Sequence, residues 1–242
     1  MGLLITFLLG LFIILGAVIV FATKNNNKFV EFSISLAFSV IIMLIIIDLL
    51  PEIFEIFNEF NSVGVSILQI LLSILIGVGL SKLLDCFIPE HDSKHNLEHI
   101  GVVASISLVL HNIIEGMAVY TTVTSSLKAG FLTSLGVGLH NIPLGMIIAS
   151  TFYKANQSKK KTSIIIIGIS LSTFAGGVIM YFAENLFQEG MMLAILLGVT
   201  TGMLIYISIL ELFPKILHAR NRKTTLTGIA LGILLMIITM LI

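Results

Sequence analysis

The segments LHNIIEGM at residues 110–117 and LHNIPLGM at residues 139–146 decide how this chain folds. Both lie inside apolar runs that are long enough to span a membrane. In a helix, residues four apart lie on one face about 6 Å apart along the axis, so His111 and Glu115 point in the same direction. In the second segment Leu144 takes the place of that glutamate. The pattern predicts two neighbouring transmembrane helices with metal-capable side chains and one carboxylate between them.

The composition is typical of an integral membrane protein. Of the 242 residues, 57% are hydrophobic and 11% are charged, whereas soluble domains carry about 25% charged residues. Continuous apolar runs of roughly 20 residues favour helices over the alternating strands of a membrane barrel. We expect an all-α polytopic protein with one domain over residues 1–242. Its eight predicted spans are residues 2–23, 31–50, 63–84, 100–123, 129–153, 162–183, 191–213 and 224–242.

Composition also excludes several classes of site and partner. The single cysteine, Cys86, rules out an internal disulfide and a cysteine-based metal cluster. A net charge of zero with scattered basic residues argues against nucleic-acid binding. The chain is therefore expected to contact the lipid bilayer and small ions. Its oligomeric state is left open, a homodimer included.

The distribution of lysine and arginine predicts the orientation, because cytoplasmic loops accumulate these residues. Twelve of the thirteen lie around the connections that follow spans 1, 3, 5 and 7, and only Lys128 lies on the other side. The twelve are Lys24, Lys28, Lys82, Lys94, Lys154, Lys159, Lys160, Lys161, Lys215, Arg220, Arg222 and Lys223. We expect a multi-pass protein of the cell membrane with both termini extracytoplasmic. The acids predicted for the outward loops are Glu52, Glu55, Glu59, Glu184 and Glu189.

An acid-apolar-apolar-proline pattern closes two of the predicted spans. Asp48 and Pro51 end span 2, and Glu211 and Pro214 end span 7, on opposite sides of the membrane. This pattern predicts an inverted repeat of three helices on each side of the central pair. The alternative is that each proline simply follows a helix end, where proline is common.

Small residues four apart occur in three of the later spans, and such spacing allows helices to approach closely in lipid. They are Gly168, Ser172 and Gly176 in span 6, Gly198 and Gly202 in span 7, and Gly228 and Gly232 in span 8.

Glu115 lies well inside the hydrocarbon region, where a bare carboxylate costs at least ~2.5 kcal/mol. No lysine or arginine lies deep within a span to pair with it. Together with the imidazoles of His111 and His140, it makes a ligand set that suits zinc and tolerates other first-row divalent ions. Asn112 and Asn141 can add amide oxygens. The alternative is a purely structural polar network between the two helices.

The chain resembles the ZIP (Zrt/Irt-like) family of divalent-metal transporters over essentially its whole length. The resemblance rests on the eight spans, on His-Asn-x-x-Glu-Gly at residues 111–116, and on His-Asn-x-Pro at residues 140–143. It implies a three-two-three arrangement of helices, a transport site between helices 4 and 5, and metal movement into the cytoplasm. The metal ligands it implies are His111, Asn112, Glu115, His140 and Asn141. No resident cofactor is implied; the transported metal is zinc, with iron or manganese as alternatives.

Two positions depart from the family pattern. Family members commonly have a second glutamate at the position of Leu144 and often an acid in helix 6, where residues 172–177 read STFAGG. The first departure removes one ligand, and both argue against a second, bridged metal. Three protein ligands and water still make a reasonable zinc site.

A connection at about residues 85–99, predicted to be cytoplasmic, carries His91, His95 and His99 at four-residue spacing. We consider two interpretations: a segment that receives or senses exiting metal, and a solvated loop with chance histidines.

Three functions compete at this point. The first is an importer of divalent metal. The second, an intramembrane metal hydrolase, is disfavoured because the chain has no His-Glu-x-x-His motif. The third is a transport-impaired relative that binds metal as a sensor or partner subunit, which Leu144 keeps open.

Overall fold

The computed structural model describes residues 1–23, 26–87, 93–183 and 190–241, without the side chains of residues 93–96. In these ranges the chain is helical and contains no strand. Eight helices are long and apolar enough to cross a membrane, which confirms the predicted fold class. They are α1 (Gly2–Ala22), α2 (Asn27–Phe60), α3 (Val63–Phe87), α4 (Ser93–Ser125), α5 (Leu127–Lys154), α6 (Lys159–Ala183), α7 (Met191–Leu217) and α8 (Arg222–Met240).

The predicted end of span 2 at Asp48 to Pro51 is wrong, because α2 continues to Phe60. A π-helical turn at Ile45–Leu49 precedes Pro51, and this wider turn accommodates a residue that cannot donate a backbone hydrogen bond. Beyond the proline, Ile53 and Phe57 are fully buried, so tertiary packing holds the helix together.

The same correction applies to α7. A π-helical turn at Ile207–Leu212 precedes Pro214, and the helix runs on to Leu217 instead of ending at the proline. Three predicted loop acids therefore lie on α2, and Lys215 lies on α7. The three acids are Glu52, Glu55 and Glu59.

Each central helix packs against a different outer helix: α5 against α1, and α4 against α6. The remaining helices pair as α2 with α8 and α3 with α7. Exchanging α1 with α6, α2 with α7, α3 with α8 and α4 with α5 turns each of these pairs into another pair. This is the pattern that an inverted repeat would produce, and the three-two-three arrangement itself stays a prediction.

Most of the predicted small-residue positions lie at helix contacts. A methyl group on Gly202 would overlap the backbone of Ile74 on α3, and one on Gly228 would overlap Ser35 on α2. Gly176, Gly198 and Gly232 are equally close to neighbouring helices. The prediction is wrong for Gly168, which has open space beside it.

The predicted loop at residues 85–99 is helical at both of its described ends, because α3 extends to Phe87 and α4 begins at Ser93. His99 lies in the first turns of α4 and is buried. The predictions for Lys24, His91, Glu184 and Glu189, and for the side chains of Lys94 and His95, lie outside the described residues.

Candidate metal centre

His111, Glu115 and His140 meet in the interior where α4 packs against α5. Their exposed fractions are 1%, 8% and 2%. The Oε1 atom of Glu115 lies 2.8 Å from Nε2 of His140 and 3.6 Å from Nε2 of His111. Ligand atoms about 2.0–2.2 Å from a tetrahedral zinc are about 3.4 Å apart, so each pair has to move by roughly 0.2 to 0.6 Å to hold the ion. The three side chains are close to a metal-binding geometry.

The glycines of the two His-Asn segments position these helices. A methyl group on Gly116 would overlap the carbonyl oxygen of Thr173 on α6, and one on Gly145 would overlap that of Ile13 on α1. Each ligand-bearing helix therefore lies directly against an outer helix one or two turns from its histidine. Such close packing holds the ligands on rigid elements, as a metal site requires.

The two asparagines differ in their surroundings, although both are fully buried. Asn141 donates from Nδ2 to Oε2 of Glu115 at 3.3 Å and so belongs to the same cluster. Asn112 donates from Nδ2 to the carbonyl oxygen of Ile169 on α6 at 3.4 Å. Neither amide oxygen has a hydrogen-bond partner among the described residues. The oxygen of Asn141 is therefore unused beside Glu115, whereas the hydrogen bond of Asn112 is made to α6.

His111 is buried without a hydrogen bond to either ring nitrogen in the part of the chain that the structure describes. Buried polar groups are nearly always hydrogen-bonded, and an exception calls for an explanation. His111, 3.6 Å from Glu115, and Asn141, which donates to the same carboxylate, therefore leave unused ligand atoms beside it.

Two further acids approach this centre from α2, and the sequence predictions did not include them in it. A cavity of about 370 Å³ between α2, α5 and α8 is lined by Asp48 and His140. A smaller cavity of about 80 Å³ brings Asp48 and Glu52 together with His111 and Glu115. Both acids therefore face the space that leads to the metal-capable groups.

The spacing of the acids on α2 could have revealed from the sequence that they share one helix face. Asp48, Glu52, Glu55 and Glu59 are separated by four, three and four residues, which places them on one face of a continuous helix. The prediction of a helix end at Pro51 concealed that face.

Leu144 is 1% exposed and belongs to the apolar core. It follows His140 by one helical turn on the same helix face. A buried apolar side chain therefore occupies the position at which the resemblance implies a second glutamate.

Comparison with known proteins identifies the family. A sequence model of ZIP zinc transporters matches residues 89–240, more than half of the chain. A zinc transporter ZupT from Salmonella paratyphi A is 26% identical, with 99% of this chain and 96% of the relative covered. A zinc transporter ZupT from Enterobacter sp. (strain 638) is 28% identical, with 88% and 85% covered.

ZIP proteins are transporters and not enzymes, so the family match excludes the hydrolase alternative. It also confirms the resemblance that the two His-Asn segments indicated. The chain belongs to the ZIP zinc transporter family and is a multi-pass membrane protein of divalent-metal transport.

Proposed function

We propose that the chain carries divalent cations, zinc foremost, into the cytoplasm through the site formed by His111, Glu115 and His140. The observation that carries this proposal is the buried carboxylate of Glu115, whose ion-pair partners among the described residues are the two histidines. A carboxylate in hydrocarbon is costly, and its partners here are imidazoles and not the permanent cations of lysine or arginine, so a bound dication would compensate its charge more fully.

The ligands proposed for the ion are the two imidazoles, the Glu115 carboxylate and the free amide oxygens of Asn112 and Asn141. Nitrogen and oxygen donors in this ratio suit zinc, and iron or manganese are the alternatives. Zinc is almost always four-coordinate, so the amide oxygens and water on the side of the cavities compete for the fourth position. A coordination position held by water favours release, which transport requires.

The cavities indicate from which side the ion reaches the site. Their lining residues on α4 lie between His111 and Thr122, and those on α5 lie between Ala129 and His140. Both cavities therefore extend from the site toward the short α4–α5 connection. The lysine distribution predicts that this connection lies outside the cell.

The opposite half of the site is closed in this conformation. Leu144, Ile147, Ile148 and Phe152 follow His140 along α5, and each is at most 1% exposed. An ion at the site would meet packed side chains on the cytoplasmic side and water on the other. This geometry supports an outward-open state of a carrier that opens one side at a time.

The second candidate is a metal-binding sensor or partner subunit that does not transport. It is favoured by Leu144, which removes one family ligand from the site. Purified protein in liposomes that enclose a zinc-responsive dye separates the two candidates. A transporter accumulates zinc inside vesicles along a gradient, whereas a sensor binds zinc in titration calorimetry and leaves the dye unchanged.

Protein-free liposomes and a Glu115→Gln variant serve as controls, and manganese and iron are offered in parallel with zinc. Zinc binding without accumulation would overturn the proposal and support the sensor.

A further inference from the structure

Four basic side chains lie where the α7–α8 connection meets the start of α2, and we call this surface the basic patch. They are Lys28 on α2, Arg220 in the connection, and Arg222 and Lys223 in the first turn of α8, and all four are exposed. Within the part of the chain that the structure describes, none of these side chains forms an ion pair or a hydrogen bond. The patch therefore offers uncompensated positive charge.

Glu31 on α2 contacts this connection, and backbone groups use both of its oxygens. Oε1 accepts from the backbone N–H of Arg220 at 3.0 Å, and Oε2 accepts from that of Asn221 at 3.1 Å. Lys28 lies one helical turn before Glu31 on the same helix face, so these bonds bring it beside the connection. The carboxylate thus fixes the backbone of the connection and, among the described residues, pairs with no basic side chain.

The two helices that carry the patch are in close contact near this end. A methyl group on Gly228 of α8 would overlap Oγ of Ser35 on α2, and it would lie 2.9 Å from the carbonyl oxygen of Phe32. Such an approach of two backbones holds the start of α2 beside the start of α8. The basic patch is therefore part of a packed pair of helices.

Exposed apolar side chains continue from the patch along α8. Leu226 follows Arg222 by one turn on the same face and is 64% exposed, and Ile233 and Ile237 extend this face. Cations at one end of a surface and apolar side chains along its length match the two parts of a phospholipid, a phosphate headgroup and acyl chains.

The α5–α6 connection is also rich in lysine, but its lysines have partners. Lys161 pairs with Glu98 at 3.4 Å, and Nζ of Lys159 lies 5.8 Å from the centre of the Tyr153 ring. Membrane proteins accumulate basic residues on the cytoplasmic side in general, so positive charge alone does not distinguish the two connections. The availability of that charge does, and it favours the basic patch.

We propose that the basic patch binds the phosphate headgroup of an anionic phospholipid, with the exposed face of α8 against the acyl chains. Guanidinium groups bind phosphate oxygens through paired hydrogen bonds, and the patch provides two of them. The lysine distribution predicts that this end of the helices is cytoplasmic. The cytoplasmic leaflet carries a negative surface potential from anionic lipids.

The patch is separate from the site of His111, Glu115 and His140, which we call the first site. The access cavity of the first site reaches α8 at Met236, about 21 Å along the helix from Arg222. Lipid binding can therefore be tested without zinc and without transport.

Native mass spectrometry of the purified protein in detergent counts bound lipids, with phosphatidylglycerol, phosphatidylcholine and inorganic phosphate offered separately. The parent should bind phosphatidylglycerol more tightly than phosphatidylcholine and should retain no inorganic phosphate. Arg220→Gln, Arg222→Gln and Lys223→Gln together should weaken phosphatidylglycerol binding by about 100-fold, because each basic side chain near an anionic surface contributes roughly a fivefold factor. The connection should keep its fold, because Glu31 holds it through backbone groups.

The α5–α6 connection supplies the matched control. Lys154→Gln, Lys159→Gln and Lys160→Gln together remove the same charge and should leave the affinity for the first phosphatidylglycerol unchanged. The proposal is overturned if this control variant loses as much affinity, if the parent binds phosphatidylcholine equally well, or if inorganic phosphate binds as tightly as the lipid.

A second measurement keeps the test decisive if the variant at the basic patch unfolds. Phosphatidylglycerol with a photoreactive headgroup, in phosphatidylcholine nanodiscs that hold the intact chain, should label residues 217–227. Labelling confined to the α5–α6 connection would contradict the proposal. Phosphatidylglycerol bound at the patch of a protein that does not transport zinc would refute the proposed function and leave this inference intact.

Discussion

Glu115→Gln removes the charge at the centre of the first site and preserves the shape of the side chain. The amide oxygen can still accept from Asn141, which lies 3.3 Å from the carboxylate. A buried carboxylate at this depth costs at least ~2.5 kcal/mol, and its contacts to His111 and His140 offset part of that cost, so the metal-free variant should be about as stable as the parent. Loss of transport would then report on the ion and not on the fold.

The size of the effect follows from the ligand count. Loss of a residue that merely supports a ligand already costs up to about 100-fold in metal affinity, so removing the charge of the one carboxylate among the proposed ligands should cost at least as much. At a zinc concentration of about 100 Kd, binding stabilises the parent by about 2.7 kcal/mol. A 100-fold weaker site retains about 0.4 kcal/mol at the same concentration.

Thermal unfolding in nanodiscs with and without zinc measures this difference, and liposome uptake is recorded on the same preparations. Glu59→Gln, an exposed acid near the end of α2, is the matched control and should behave like the parent. A Glu115→Gln variant with the parent's zinc-induced stabilisation and uptake would show that Glu115 is not a ligand.

Four further outcomes are expected. Leu144→Glu adds a carboxylate one turn after His140, so titration calorimetry should show tighter zinc binding while flux shows slower release; unchanged affinity in a folded variant would mean that position 144 does not face the ion. Gly116→Ala should lower the free energy of unfolding by about 1–3 kcal/mol, because its methyl overlaps Thr173; Gly168→Ala, which has open space, should be neutral, and equal effects would contradict the contact. Asp48→Asn should raise the KM for zinc uptake with little change in kcat, because Asp48 lines the access cavity; a loss confined to kcat would indicate a ligand. The exposed Cys86 at the end of α3 should react with an impermeant maleimide in inverted vesicles and not in intact cells, whereas the opposite labelling would reverse the proposed orientation.

Much of the fold and of the first site can be predicted from the sequence. Eight apolar runs of the right length predict eight helices, because a backbone in lipid has to satisfy its hydrogen bonds within the segment. The i to i+4 spacing of His111 and Glu115 predicts a shared face, since helical periodicity is a local property. The family match extends these local predictions to metal transport.

The ends of α2 and α7 are where local reasoning failed. Proline predicts a break because it removes a hydrogen-bond donor. The helix nevertheless continues past Pro51, because burial of Ile53 and Phe57 outweighs the loss of one bond. The burial of Ile53 and Phe57 can be seen only in the packed structure. The acidic helix face from Asp48 to Glu59 depends on it, because that face requires a helix that continues past Pro51.

The tertiary structure alone decided which distant residues meet. His99, Asp85 and Glu211 carry no common motif, and Glu211 is 126 residues beyond Asp85 in the chain. They come together because glycines such as Gly77 and Gly202 let α3 and α7 cross in backbone contact. The helical periodicity of a sequence specifies which face of each helix is buried. The depth and angle at which two helices cross depend on the surfaces of both helices. The first site could therefore be predicted from two local motifs, whereas the meeting of Asp85, His99 and Glu211 depends on how three helices pack.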